Sequence, residues 1–290
     1  MPELPEVEVV RRGVHAAFVG RTVSYADVRH DRSVRWHAGG QENFATRLVG
    51  RRIEDTGRRG KYLWLRLDDG SALVVHLGMS GQLRATEESL AVDLLDKHLR
   101  IRLRFTAGCT DLDFVDQRIF GGLFVTAKFP QGSIPVELDH LARDPLDPAF
   151  DAGAVALRMA SSSSAVKRQL LNQTRVSGIG NIYADESLWR ARVHWATPGQ
   201  RLNSERIHEV LTSAAEVMSE AITAGGTSFD PLYVDINGVG GSFGRQLAAY
   251  GRASQPCRRC ETMIVRERFA GRSSFRCPSC QPQTHPSAGA

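Results

Sequence analysis

The chain has no apolar run near the roughly 18 residues that a membrane-spanning helix needs; its best candidate, Leu73 to Leu77, is broken by His76. No membrane partner is expected. It also lacks a secretory charge order, because Glu3, Glu6 and Glu8 precede any basic residue. A reducing, cytoplasmic setting follows by default. Compositional bias is missing as well: 42% hydrophobic, 24% charged and 7% aromatic residues exclude disorder, collagen and fibre. No internal repeat is present. At about 100 to 200 residues per domain, 290 residues suggest about two domains, each able to bury a core.

What is present is basic. Lys plus Arg outnumber Asp plus Glu by 37 to 32, and a pI of ≈ 9.1 favours a polyanionic partner. The distribution says more than the total. Between Gly251 and Gln281, seven arginines (252, 258, 259, 266, 268, 272 and 276) face only Glu261 and Glu267, a surplus of five that equals the net charge of the whole chain.

Residues 4 to 20 predict a helix, with Pro5 in the first turn, acids near the N-terminus, and Val7, Val10, Val14 and Phe18 at spacings of three and four. Gly20 is a natural stop. From about 50 to 130 the period becomes two, clearest where Leu99, Ile101, Leu103 and Phe105 alternate with Arg100, Arg102 and Arg104. Lys61–Leu67 and Leu73–Leu77 predict two more strands around an Asp68-Asp69-Gly70 turn. The first half is therefore a mostly antiparallel sandwich behind one helix. Asp144 to Pro148 suits a linker, and the pattern beyond it is helical. The strongest helix starts near Ser204, carries its stripe through Ile207, Val210, Leu211, Ala214, Val217, Met218, Ala221 and Ile222, and stops at Gly225-Gly226. Six glycines between 225 and 244 suit a loop that closes on something.

Cys257, Cys260, Cys277 and Cys280 form C-x2-C-x16-C-x2-C, the spacing of a structural zinc site with four thiolates. Two disulfides or free thiols are the alternative; a reducing compartment disfavours the disulfides, and paired C-x2-C knuckles suit tetrahedral ligation. The sixteen residues between the pairs fit one hairpin, Met263–Phe269 and Ser274–Arg276, with Gly271-Arg272 near its tip. Four thiolates on one zinc ion leave a local charge of about minus two, so part of the arginine surplus is counter-charge. Cys109, without a partner, reads as a small buried hydrophobe.

The extreme N-terminus is a second constellation. Once Met1 is removed, Pro2 is a secondary amine beside Glu3, with Glu6 one turn on. Near pH 7.4 roughly a quarter of an α-amino group is neutral, against about 0.1% of a lysine, and only the neutral form attacks carbon. A secondary amine adding to a sugar C1′ yields an iminium that acts as an electron sink, and Glu3 can move the protons. The alternative is a plain helix entry with acids favouring the dipole.

Lys61 follows Gly60 where a turn feeds a strand, a position also suited to an ordinary solvated lysine. Arg118 and Phe120, two apart in an extended chain, share one side: either edge packing, or a wedge and an arm filling a gap in a DNA stack. Met79 is an apolar side chain in a turn, where a partly buried methionine is the common case. From Lys167 to Trp189, a short helix, the turn Ser177-Gly178-Ile179-Gly180-Asn181 and a second helix predict an Asn-capped helix start suited to phosphate, or a helix hairpin that binds nothing.

Taken together, Met-Pro-Glu-Leu-Pro-Glu-Val-Glu at the start, Gly60-Lys61-Tyr62-Leu63, His76-Leu77-Gly78-Met79-Ser80-Gly81, Gly178-Ile179-Gly180-Asn181-Ile182-Tyr183-Ala184-Asp185-Glu186 and a four-cysteine finger carrying Gly271-Arg272-Ser273-Ser274 closely resemble the bacterial formamidopyrimidine-DNA glycosylases. The likeness spans residues 2 to about 281 in order. It implies a bifunctional enzyme of base excision repair that removes oxidised purines, such as 8-oxoguanine opposite cytosine and ring-opened formamidopyrimidines, and nicks the strand by β,δ-elimination. Pro2 then matches the nucleophile, Glu3 the proton donor with Glu6 beside it, Lys61 the lysine of β-elimination and Arg272 the phosphate-clamping arginine of δ-elimination. Met79, Arg118 and Phe120 match the residues filling the void behind a flipped nucleotide. His98, Asn181 and Lys167 match DNA contacts, and the 225–244 stretch matches the loop over the extruded base. Ile119 and Ser163 stand where relatives carry further cations, a departure that weakens backbone grip. Leu4 favours the purine branch over the oxidised-pyrimidine branch.

The fold class implied is α+β: an N-terminal antiparallel β-sandwich with a leading helix, then a helical helix-two-turn-helix domain and a zinc-finger hairpin. The expected boundaries are 1–135 for the catalytic sandwich, 136–150 for a linker, 151–245 for the helical domain with its capping loop, 246–281 for the finger and 282–290 for a disordered tail. The expected cofactor is one structural zinc ion. The expected partner is damaged double-stranded DNA, bound by a monomer in the bacterial cytoplasm at the nucleoid.

Overall fold

A computed structural model of the protein describes residues 1–87, 97–228 and 232–283. The chain divides into two compact units, Met1–His140 with Ile222–Gly244, and Leu141–Ala221 with Arg245–Ala290. Most of the expected tail, 284–290, lies outside the described residues, as do 229–231 of the glycine-rich loop.

In the first unit helix α1 (Leu4–Phe18) has Pro5 in its first turn, and Gly20 leaves it at φ 86°. Its apolar stripe of Val7, Val10, Val14 and Phe18 is buried, because it packs into a core shared with both sheets. One sheet has the order β1 (Val23–Val28), β6 (Leu99–Phe105), β7 (Thr110–Asp116), β5 (Gly81–Glu87); the other has β2 (Ile53–Arg59), β3 (Tyr62–Leu67), β4 (Ala72–His76), β8 (Gly122–Val125). Every pairing is antiparallel. Helix α2 (Gly40–Leu48) adds Phe44 and Leu48 to the same core.

The alternation in β6 resolves as read, with Leu99, Ile101, Leu103 and Phe105 inward. Its outer arginines are not an open cationic face. Register sets Arg102 between Asp27 and Asp113, and its guanidinium meets the Asp113 carboxylate at 2.7 Å; Arg104 lies 3.6 Å from Asp111, and Arg100 donates to the Asp116 carbonyl. Cys109 is a correction: it is exposed in the β6–β7 turn, where no core reaches it. The 225–244 loop folds back onto this unit. Gly225 and Gly226 turn at positive φ, Ile236 enters the core, and its carbonyl accepts from the Ala85 amide at 2.8 Å.

The second unit holds α3 (Ala152–Ala160), α4 (Val166–Leu170), α5 (Asn181–Arg190) and most of α6 (Ser204–Thr223), followed by the hairpin β9 (Val265–Phe269) and β10 (Arg272–Arg276). Asp151 caps α3 by accepting from the Ala154 amide. Ala270 and Gly271 make the hairpin turn at φ 43° and 77°. The expected linker is turn structure with Asp144 buried inside it. Among the described residues no helix is long and apolar enough to cross a membrane.

Candidate active site and nucleic-acid interface

In the first unit the acidic N-terminal turn is buried, Pro2 and Glu3 included. Glu6 braces it. One carboxylate oxygen accepts from the Glu3 amide at 3.0 Å, and the other accepts from the amide and the hydroxyl of Thr227, each at 3.0 Å. Both oxygens are thus committed to holding the start of α1 to the start of the glycine-rich loop. The Met1 ammonium donates to the Tyr233 hydroxyl on the same loop. Glu8 differs in kind: burial works against its charge, yet hydrogen bonds and attraction from Arg11, with Arg12 and Arg58, hold its carboxyl down at about 2. It is a locked ion and a poor proton donor.

Lys61 is buried in the turn where Gly60, at φ 55°, reverses the chain between β2 and β3. Tyr62 pairs in register with His76, their rings 4.4 Å apart. Burial, reinforced by Lys61 and Arg35, pushes the His76 imidazole down to about 4, which keeps it neutral near pH 7. His76 opens the His-Leu-Gly-Met-Ser-Gly motif, but no local spacing marks it as a chemical group.

Met79 and Phe120 stand out at 39% and 47% exposure, and Arg118 is exposed beside them. They occupy two turns in backbone contact: a Cβ on Gly78 would lie 2.4 Å from the Gly121 nitrogen. His98 is half-buried, with its ring nitrogen 3.4 Å from Arg100.

In the second unit Gly180 caps α5 and Asn181 is its first residue, so the asparagine is not the cap. Its amide donates to the Ser273 carbonyl at 2.8 Å, while its own carbonyl oxygen and the Ser177 hydroxyl are buried without protein partners. Exposed Arg272 follows the hairpin turn and lines a cleft of ≈ 390 Å³ with Arg266, Arg268 and Ser273. The other arginines of the surplus are spent on structure. Arg259 stacks on Trp189 at 4.1 Å, Arg276 pairs with Glu267 at 2.6 Å, Arg252 donates to the carbonyls of Ala248 and Pro256, and Arg258 to that of Arg245.

Lys167 is a correction. It has 0% exposure, its ammonium meets Asp185 at 2.6 Å, and it lies 5.2 Å from the Phe269 ring centre. Asp185 also accepts from the Ser274 hydroxyl and the Phe275 amide, both at 2.9 Å. Burial pushes the Asp185 carboxyl up, against the pull of Lys167 and these donors. A lysine so enclosed joins α4, α5 and β10, and does not present itself to a phosphate. Glu186, next in sequence, accepts from the amides of Ala248, Ala249 and Tyr250, at 2.7 to 2.8 Å.

The four cysteine sulfurs all lie within 4.8 Å of one another. Cys260 lies 3.4 Å from Cys277 and from Cys280, far beyond a disulfide bond and close to the ~3.8 Å that tetrahedral zinc–thiolate bonds would impose. The Trp189 indole donates to the Cys257 sulfur and the Cys280 amide to that of Cys277, each at 3.3 Å, as acceptor-rich thiolates require. These residues fit one zinc ion, held by all four cysteines.

Family models agree with both units. Residues 1–123 match the formamidopyrimidine-DNA glycosylase N-terminal domain, 141–231 the formamidopyrimidine-DNA glycosylase H2TH domain, and 254–283 the zinc finger found in FPG and IleRS. A formamidopyrimidine-DNA glycosylase of Acidothermus cellulolyticus is 53% identical over 282 residues, covering 97% of this chain and 98% of that one. The Lactococcus lactis Fpg in complex with abasic-site DNA is similar with a TM-score of 0.84 at 30% identity, over 97% of this chain and 100% of that one. A MutM structure in complex with DNA containing carbocyclic 8-oxo-G gives the same TM-score, identity and coverage.

Proposed function

Because the chain belongs to the formamidopyrimidine-DNA glycosylase family of base excision repair, we propose that it excises oxidised purines, 8-oxoguanine and formamidopyrimidines, from duplex DNA and then cleaves the strand as a lyase. The observation that carries this reading is the buried Pro2-Glu3 turn, braced by Glu6 against the loop that begins at Gly225. Relatives bound to abasic-site DNA and to an 8-oxo-G analogue support the substrate class.

With Met1 removed, the Pro2 nitrogen attacks C1′ of the damaged nucleotide. The glycosidic bond breaks as the base leaves with a proton from Glu3, the amine sheds its own proton, and the C1′–O4′ bond then opens, O4′ taking up a proton while the nitrogen lone pair forms the C1′ iminium. Withdrawal of electrons into that iminium acidifies C2′, and loss of a C2′ proton expels the 3′ phosphate; a second elimination expels the 5′ phosphate. Lys61 serves the first elimination and Arg272 the second. Such chemistry needs the nucleotide out of the stack, with Met79, Arg118 and Phe120 filling the void and Asn181, His98 and the finger cations holding phosphates. Lys167 supports this surface from within. The protein acts as a monomer on chromosomal DNA in the bacterial cytoplasm.

Borohydride trapping tests the reading. The wild-type protein should form a covalent adduct with 8-oxoguanine:cytosine duplex, and Pro2→Ala should abolish or greatly slow both adduct and excision. Intact mass should show a chain lacking Met1. Faster excision from thymine glycol:adenine duplex would move the substrate to oxidised pyrimidines, and no adduct with either lesion would leave a zinc-dependent DNA-binding protein.

A further inference from the structure

Asp116, the last residue of β7, has no solvent exposure and no part in the chemistry described above. Its carboxylate draws its hydrogen bonds from a ring of neighbours that belong to two different turns. One oxygen accepts from the Ser80 hydroxyl at 2.5 Å and from the Arg118 amide at 3.2 Å; the other accepts from the Gly121 amide at 2.8 Å. The Ser80 oxygen also accepts from the Arg118 amide, at 3.1 Å. The Arg35 guanidinium also donates to the carbonyls of Phe120 at 2.9 Å and Gly121 at 2.7 Å. Ser80 follows Met79 directly, and Ile119, between Arg118 and Phe120, sits at φ 55°, a conformation an isoleucine adopts only when its surroundings impose it.

A buried carboxylate without its donors is costly, so these bonds form together or not at all. Their effect is to lock the Met79 turn to the Arg118–Phe120 turn while all three side chains stay exposed. We propose that Asp116 is the positioning residue of the void-filling wedge: it makes Met79, Arg118 and Phe120 one preformed body, whose ordering is completed in folding and not at the moment of DNA binding. This inference rests on the void-filling role proposed above.

Asp116→Asn keeps the volume but turns an N–H₂ group toward at least one N–H or O–H donor. The readout is the single-turnover rate of 8-oxoguanine excision opposite cytosine in duplex, divided by the rate of cleavage at an abasic site in a single strand, which presents no partner base and no gap to fill. That ratio should fall about ten- to a hundred-fold, the scale of a misplacement near 1 Å. Phe120→Ala should lower it too, and the double variant should fall less than about threefold below Phe120→Ala alone, because both changes remove the same wedge. If Asp116→Asn does not fold, Ser80→Ala, which withdraws one donor and keeps the carboxylate, should move the ratio the same way by a few-fold. Equal losses on both substrates, or full additivity with Phe120→Ala, would overturn the inference. Should Phe120→Ala slow duplex excision while Asp116→Asn and Ser80→Ala do not, Asp116 loses this role and the void-filling reading stands; an unchanged ratio in Phe120→Ala removes both.

Discussion

The ammonium of Lys167 and the carboxylate of Asp185 meet at 2.6 Å with neither side chain reaching solvent. An ion pair so enclosed is destabilised strongly when one partner is deleted, because the other is left buried and charged. Lys167→Ala should cost about 3–5 kcal/mol in chemical unfolding, and Lys167→Met combined with Asp185→Asn, which removes both charges and keeps an acceptor for Ser274 and Phe275, should recover much of that loss. In variants that remain folded, the salt dependence of DNA binding should keep its slope. By contrast, Arg272→Ala should lower that slope by about one phosphate contact.

Glu6 and Thr227 offer a milder perturbation. Thr227→Val keeps the shape and withdraws one hydroxyl donor from the Glu6 carboxylate. A hydrogen bond to a charged group contributes about 1.5–3 kcal/mol, so single-turnover excision should fall roughly ten- to a hundred-fold if the brace sets the Glu3 turn. An unaltered rate would show that the loop and the terminus work independently.

His76 predicts an acid sensitivity. Its ordinary value is 6.5 and the fold holds it at about 4, so between these values the unfolded chain takes up a proton that the native protein does not. Stability should therefore rise with pH through this window and be lost as pH falls from 6.5 toward 4. The linked amount is up to roughly 3 kcal/mol. His76→Gln should flatten the slope of unfolding free energy there. Glu8, ordinarily 4.5 and held at about 2, contributes stability present above 4.5 and lost as pH falls below it.

Chelation should act on the second unit. Removing zinc leaves four thiols packed together with little core of their own, since Ala249, Cys257, Ile264, Phe275 and Cys277 form the buried cluster. Hairpin order and DNA binding should be lost together, with a change in tryptophan emission because Trp189 touches Cys257. Tight binding after verified metal loss would contradict this.

Much of the fold was legible because it follows from local chemistry. The stripe of α1, the alternation of β6 and the paired cysteines each depend on spacing alone, and each lies where that spacing puts it. Burial of polar groups was not legible. Lys167 reads as a DNA-contacting cation, and nothing adjacent to it reveals that Asp185, eighteen residues on, and Phe269 of the hairpin enclose it. Cys109 reads as a core residue and is exposed, and no spacing marks Asp116, Thr227 or Tyr233.

The sequence by itself determined the leading helix, the central strands, the metal ligands and the family, because periodicity and ligand spacing are properties of neighbouring residues, while helix Gly40–Leu48 and strand Val23–Val28 went unread. Only the tertiary structure decided which charges are spent. Whether an arginine or a carboxylate faces solvent or a buried partner depends on groups brought together from distant parts of the chain, and desolvation then fixes what that charge can do.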